Sequence, residues 1–360
     1  MAKQTFQPSF LATALLAWYP RHRRDLPWRH TRDPYAIWLS EVILQQTRVA
    51  QGLPYYETFL RAYPTVQDIA AAPETEVLRY WQGLGYYSRA RNMHRTARQV
   101  VEEYGGHFPN NYAGLLKLRG IGPYTAAAIA SFAFDEAVAV LDGNVYRVLA
   151  RLFGLHADIA APSSRKEFQA VADQHISASS PADFNQAIME FGAIQCTPAK
   201  PDCLFCPMQQ SCWAFQHGQV PLLPVKSKAK KARTRYFHYF VLRHDDRVYL
   251  RERGEKDIWQ GLYDFALAET DAPELPADEL ARHLDALGAA IDTSQAAEPS
   301  AAYRHVLSHQ KLEVRFHEVP LSRRLPDATL RDLKLRAYSA TEIEALPKPK
   351  LIANYIEQNP

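Results

Sequence analysis

The sequence predicts a multi-domain protein: an all-α domain with a metal-binding loop, followed by a small α+β domain. Three observations predict it. The 360 residues exceed one ordinary core and suit two domains. Helical periodicity continues to about Trp213, and strand-like alternation enters only beyond it. All four cysteines fall between Cys196 and Cys212, where the helical part closes.

Phe10 to Trp18 is apolar enough to imitate the core of a signal peptide. Only Lys3 precedes it as a basic residue, however, and Arg21, His22, Arg23 and Arg24 follow it, so an amphipathic first helix is expected. Ile37 to Gln46 reads as a helix, as does Ser88 to Tyr104 with Gly105 as its stop. Ser164 and Glu167 stand at capping-box spacing ahead of another. The helical domain is expected to span 1–217, with a basic linker over 218–235 that contains Pro221-Leu-Leu-Pro224. In the remaining domain, 236–360, strands are expected at Tyr236–Leu242, Arg247–Arg251 and Lys311–Val319. Helices are expected at Ala277–Leu287 and, broken by Pro347 and Pro349, at Thr341–Glu357.

The formal net charge of +3 conceals an asymmetry. Up to Arg235 there are 26 Lys+Arg against 18 Asp+Glu, and beyond it 16 against 21. A basic first part facing a polyanion follows, although charge alone does not separate DNA, RNA and an anionic membrane. No segment has the length of a membrane-spanning helix. Local clustering of the cysteines argues against spread disulfide staples, so a reducing cytoplasm is expected.

Cys196, Cys203, Cys206 and Cys212 are separated by six, two and five residues. Four thiolates in so short a run converge on a metal, and both zinc and a 4Fe–4S cluster accept four cysteines. Zinc ribbons generally show two paired knuckles, whereas only Cys203 and Cys206 have that spacing. Upstream, Leu118-Arg-Gly-Ile-Gly-Pro-Tyr-Thr125 lies between two helical stretches. Gly120 and Gly122 permit turns and close approach, Pro123 suits a first helical turn, and exposed N–H groups there make a site for phosphate oxygen.

Two carboxylates stand out. On a helix, the neighbours of Glu41 at three and four residues are Ile37, Trp38, Leu44 and Gln45, none of them basic. Its pKa is therefore expected to rise, as a general acid needs. Asp142 precedes a helix in Leu141-Asp-Gly-Asn-Val145. An N-cap fixed by a helix start can also face a developing cation. A proton donor paired with a second carboxylate is the chemistry of glycosidic-bond cleavage.

The six-two-five cysteine pattern resembles the endonuclease III and adenine-DNA glycosylase superfamily, and Leu118–Thr125 matches its helix-hairpin-helix, about 111–132 here. Pro27-Trp-Arg29, Glu41–Arg48 and Gly83-Leu-Gly-Tyr-Tyr-Ser-Arg89 look like the adenine-DNA glycosylase family, over about residues 6 to 217. The resemblance implies a 4Fe–4S cluster in the 196–212 loop that supports a basic loop on DNA and takes no part in base excision. It implies a monomer that acts in the cytoplasm, at the nucleoid in a bacterium, on duplex DNA containing A:8-oxoguanine or A:G mispairs. Glu41 would protonate adenine and later activate water, Asp142 oriented by Asn144 would stabilise the oxocarbenium ion, and Tyr124 would assist. Trp28, Arg29, Leu44, Val49 and Gln186 would line the pocket of the flipped base. Gln46 and Tyr86 would wedge into the stack, while Thr47 and Leu84 touch the opposing 8-oxoguanine. Arg48, Arg89, Leu118, Gly120 and Gly122 complete the DNA-binding set from the helical domain.

Bifunctional relatives place a lysine just after the hairpin, where its amine attacks the sugar. Tyr124 stands there instead, and a phenol cannot form a Schiff base. Simple hydrolysis is expected; the alternative is a bifunctional glycosylase/AP lyase acting on oxidised pyrimidines. The C-terminal domain is similar to the Nudix-like domain these enzymes carry for 8-oxoguanine recognition, with Trp259-Gln-Gly-Leu-Tyr-Asp-Phe265 as its turn signature. Leu267 to Leu287 lacks the glutamate-rich helix that would hold magnesium, so no pyrophosphatase activity is expected. Family members usually present Phe-Ser-His to 8-oxoguanine. Here Leu307 replaces the aromatic, leaving Ser308 and His309 as the candidate contacts.

Overall fold

Helices dominate residues 9–216 because their boundaries are written locally. The computed structural model describes residues 9–227, 232–254, 257–286, 299–307 and 310–359. The chain divides into two compact units, Met1–Ala71 with Asn92–Lys228, and Ala72–Arg91 with Ala229–Pro360.

In the first unit, α1 (Phe10–His22) starts at Ser9, whose side chain accepts from Ala12 N, and continues through Pro20. Asp33 caps α2 (Pro34–Leu44), with Pro34 in the first turn where its missing N–H costs nothing. Then come α3 (Val49–Ala62) and α4 (Val66–Ala71). Helix α5 (Glu74–Tyr80) belongs to the second unit, and α6 (Ser88–Tyr104) runs from the second into the first. The first unit continues with α7 (Tyr112–Leu115), α8 (Pro123–Phe134), α9 (Gly143–Phe153), α10 (Ser164–His175), α11 (Pro181–Ile194) and α12 (Trp213–Gln216).

Residues Thr125 to Phe132 of α8 are all buried, as expected for a helix apolar on every side. It packs on α2 and α11, and α11 in turn packs on α1 and α9. Close approach of α11 to α9 needs Gly192, where a Cβ would stand 2.7 Å from Asn144 Cβ. The capping box expected at Ser164 does not form. Ser163 is the cap, and Ser164 Oγ donates to Ala161 O at 2.7 Å. Residues after Pro221 are not free: Ile159 N donates to Val225 O and Ser227 N to Asp158 Oδ1, so this stretch lies on the first unit.

The second unit is built on β1 (Arg233–His244), with β2 (Arg247–Glu252), β3 (Tyr263–Asp264), β4 (Ala266–Thr270), β5 (Tyr303–Val306), β6 (Gln310–Pro320) and β7 (Leu335–Tyr338). Strand β1 pairs in parallel with β6 and antiparallel with β2 and β4. The expected strands are all present, lengthened by one to three residues at their ends. Helices α13 (Ala277–Ala286), α14 (Asp327–Asp332), α15 (Ala340–Ala345) and α16 (Lys350–Gln358) complete it. Phe240, Leu242, Tyr249, Val319 and Leu335 form a core against which Leu280, Leu284 and Leu330 pack. Burying each such side chain contributes about 1.5–3 kcal/mol. A capping box closes the start of α15, between Ser339 and Glu342.

Candidate active site

Helix α2 carries Glu41, α8 carries Tyr124, and the start of α9 carries Asp142. Because α8 packs on both α2 and α11, these side chains open into one cavity of about 200 Å³ in the first unit. It is lined by Trp28, Arg29, Glu41, Leu44, Thr47, Val49, Tyr124, Asp142, Asn144 and Gln186, together with Arg24, Ser40, Met189 and Glu190. The catalytic and base-binding sets read from the sequence are thus brought together.

Burial is the largest influence on Glu41 and pushes its pKa up to about 7, reinforced by the charge of Asp142. The Tyr124 hydroxyl, hydrogen-bonded to it, and Arg29 pull the other way. The Tyr124 phenol is held well above its ordinary range by burial and by the two carboxylates, so it stays a proton donor. Burial also raises Asp142, but this carboxylate accepts hydrogen bonds from Asn144 N (2.8 Å), Val145 N (2.7 Å) and Asn144 Nδ2 (2.8 Å). Such bonds favour the charged form. The net direction for Asp142 is still upward, as for Glu41, but the charged form of Asp142 is met by three N–H donors. Asn144 is fixed in turn: its Oδ1 accepts from Arg147 Nη2 at 2.8 Å, and Arg147 Nε donates to Cys196 O at 2.7 Å.

Sequence reasoning missed Glu190. It is 1 % exposed and accepts from Arg24 N, Nε and Nη2 and from Arg29 Nη2 at 2.7–2.9 Å. These guanidinium bonds overcome desolvation and hold its pKa down to about 2. Glu190 thereby locks Arg29 in the cavity wall. A signal existed, since Glu190 follows Gln186 by four residues and shares its helix face. Tyr19 Oη donates to Gln186 Oε1 at 2.6 Å, which leaves the amide NH₂ of Gln186 available as a donor.

Gln46 and Arg48 are exposed on the loop after α2, and Gln46 has a left-handed backbone (φ 57°). At the hairpin, Gly120 has φ 78° and a Cβ would meet Asn92 Cβ at 2.8 Å, whereas nothing stands near a Cβ at Gly122, the cap of α8. Leu118 is buried, so its side chain anchors the hairpin. Leu84, Tyr86 and Arg89 lie in the second unit. Leu84 is buried, Tyr86 is 45 % exposed, and Arg89 turns inward, donating to Leu84 O and Gly85 O with its guanidinium over Trp81. Ser308 and His309 lie outside the described residues.

Cys196, Cys203, Cys206 and Cys212 all line one cavity of about 30 Å³. Arg151 Nη1 donates to Cys196 Sγ at 3.4 Å and to Thr197 O at 2.7 Å. Gly154 lets Trp213, next to the last cysteine, close over the end of α9, where a Cβ would fall 2.5 Å from the indole. Among the described residues no three His, Cys, Asp or Glu groups are grouped as they would be around a single metal ion. Nor, among them, is any helix long and apolar enough to cross a membrane.

Residues 39–174 match the model of the HhH-GPD superfamily of base excision DNA repair proteins, and 238–358 that of the NUDIX domain. The adenine DNA glycosylase of Mus musculus is 46% identical over 222 residues, which are 58% of this chain and 43% of that protein. That of Buchnera aphidicola subsp. Schizaphis graminum is 33% identical over 257 residues, 71% of this chain and 74% of its own. The chain spans less than half the length of its mouse, rat and human relatives. A thermostable thymine-DNA glycosylase superposes with a TM-score of 0.54 at 34% identity, over 57% of this chain and 95% of its own. A non-covalent endonuclease III–DNA complex, at 0.51 and 23% over 58% and 95%, shares the fold.

Proposed function

The chain belongs to the adenine DNA glycosylase family, and from that premise we propose that it removes adenine mispaired with 8-oxoguanine or guanine from duplex DNA by hydrolysis. One observation carries this reading: Glu41, Asp142 and Tyr124 meet in a single cavity with room for a flipped base, beside Trp28 and Gln186. Two carboxylates in one pocket, one able to hold a proton near neutrality and one whose charged form is met by three N–H donors, suit cleavage of an N-glycosidic bond.

Glu41 enters protonated and donates to a ring nitrogen of adenine, so that the base leaves neutral with the bonding electron pair. The sugar is left an oxocarbenium ion, against which the hydrogen-bonded carboxylate of Asp142 supplies negative charge. Glu41, now ionised, accepts a proton from the water that attacks the sugar, which regenerates the acid. Tyr124 donates to Glu41 and has no amine to trap the sugar, so the strand remains intact. Gln186 offers its NH₂ to a ring nitrogen, and Trp28, T-shaped against Tyr56 at 5.2 Å, closes one wall.

In the same reading the chain acts as a monomer in the cytoplasm and the helical domain is 1–217. The exposed Gly120–Gly122 turn and the start of α8 grip a phosphate, and the domain after the linker reads the opposing base. Cys196, Cys203, Cys206 and Cys212 would hold a 4Fe–4S cluster, supported by their facing a common cavity as a four-thiol set. When bound, the cluster cross-links the 196–212 loop, and no step of excision passes through it.

A pH profile tests the proton assignment. With Glu41 at about 7, its acid form is lost as pH rises through neutrality, so the single-turnover rate of adenine loss falls on the alkaline side. A rate that stays level across neutral and mildly alkaline pH contradicts Glu41 as the acid.

A further inference from the structure

Besides Glu41, the ionisable side chains lining the active-site cavity are Arg24, Arg29, Tyr124, Asp142 and Glu190. Two of them are guanidiniums, which stay charged at any pH the enzyme meets. An opposite charge favours the ionised form of a nearby carboxylate, so Arg29 works against a protonated Glu41. Tyr124 on α8 and Asp142 at the start of α9 also act on Glu41, while α3 brings the uncharged Val49 to this wall.

Glu190, on α11, answers both guanidiniums. Its side chain is fully enclosed and that of Arg29 nearly so, whereas Arg24 is 41 % exposed. Glu190 Oε2 accepts from Arg24 Nη2 and from Arg29 Nη2, each at 2.7 Å, and Oε1 accepts from Arg24 N and Nε. Arg29 is held a second time, its Nη1 donating to Arg24 O at 2.8 Å. Glu190 is bonded to these arginines and not to Glu41, so it acts on the acid through Arg29. A side chain that only braced the wall could do so as an amide, whose oxygen also accepts from a guanidinium. What an amide lacks is the negative charge.

Resting on the proposed function, we propose that Glu190 is a positioning residue for proton transfer. By holding Arg29 and cancelling its charge, it lets Glu41 keep a proton in a cavity whose wall carries two guanidiniums.

The test follows the single-turnover rate of adenine loss against pH, at saturating protein, for wild type, Glu190→Gln, Glu190→Asp and Arg24→Gln. In wild type the rate falls as pH rises through about 7, where Glu41 ionises. Glu190→Gln keeps the length of the side chain and an accepting oxygen, but leaves Arg29 uncompensated. Glu41 then ionises earlier, so the alkaline limb is expected to move down by about one pH unit and the rate above neutrality to fall about tenfold. Glu190→Asp keeps the charge and is expected to return the limb towards its wild-type position. Arg24→Gln spares the core, leaves Glu190 to face Arg29 with its full charge, and is expected to move the limb up. It carries the test if Glu190→Gln does not melt cooperatively. A limb unmoved in the folded variant, or lowered as far in Glu190→Asp as in Glu190→Gln, overturns the inference and leaves the glycosylase reading intact. A wild type that removes no adenine, or whose rate stays level across neutrality, overturns the proposed function itself.

Discussion

Glu41→Gln lowers the single-turnover rate of adenine excision by about 10²- to 10⁴-fold, the range for removing a positioned proton donor, and leaves duplex affinity unchanged. Gln keeps the shape of the side chain and a hydrogen bond to Tyr124, so the cavity is preserved and only the transferable proton is lost. Burial supplies an independent check through stability. The folded pKa of Glu41, about 7, lies above its ordinary value of 4.5, so the folded state binds a proton that the unfolded state releases. This group's contribution is fully present below the unfolded value and is lost as pH rises to about 7. Above neutrality the wild type holds a buried charge that Glu41→Gln does not. The variant therefore melts at a higher temperature than wild type at mildly alkaline pH, and that gain disappears in acid. Reduced activity with reduced melting temperature at alkaline pH would mean a damaged fold and not a missing acid.

Asp142→Asn costs about 10²- to 10³-fold in excision rate, the magnitude for removing one preorganised electrostatic contact to a charged transition state. Asn still caps α9, because its carbonyl oxygen accepts from Asn144 N and Val145 N as the carboxylate does. The charge facing the sugar is removed, together with the bond that Asp142 Oδ2 accepts from Asn144 Nδ2. Asp142→Ala loses the cap as well, and adds about 1 kcal/mol of destabilisation. Equal rates for the wild type and the Asp142→Asn variant, measured with saturating protein, would show that Asp142 serves the helix alone.

Much of this was legible in the sequence where a short stretch decides its own structure. The Asp142 cap, the Gly120–Gly122 turn, the clustered cysteines and the long β1 and β6 follow from local residue chemistry. The apolar flanks of Glu41 pointed correctly to a raised pKa. What stayed hidden depends on partners distant in the chain. Glu190 reads as one acid in a helix until α1 and the Pro27–Arg29 turn bring Arg24 and Arg29 to it. Arg89 reads as a phosphate contact, yet the left-handed Gly85–Tyr86 loop folds beneath its guanidinium. The capping box at Ser164 fails because Ser164 Oγ is used by Ala161 O, and Ser163 takes the cap position without a side-chain bond. The short strands β3, β4, β5 and β7 carry too few residues for alternation to declare them, and form only by pairing with β1, β2 and β6.

The most direct measurement incubates the purified protein with end-labelled duplexes carrying adenine opposite 8-oxoguanine, guanine or thymine, each resolved with and without alkali. Adenine loss is expected opposite 8-oxoguanine and guanine, with strand breaks appearing only after alkali, because Tyr124 provides no amine to open the sugar. Breaks without alkali would contradict simple hydrolysis, and intact adenine in every duplex would contradict the glycosylase assignment itself.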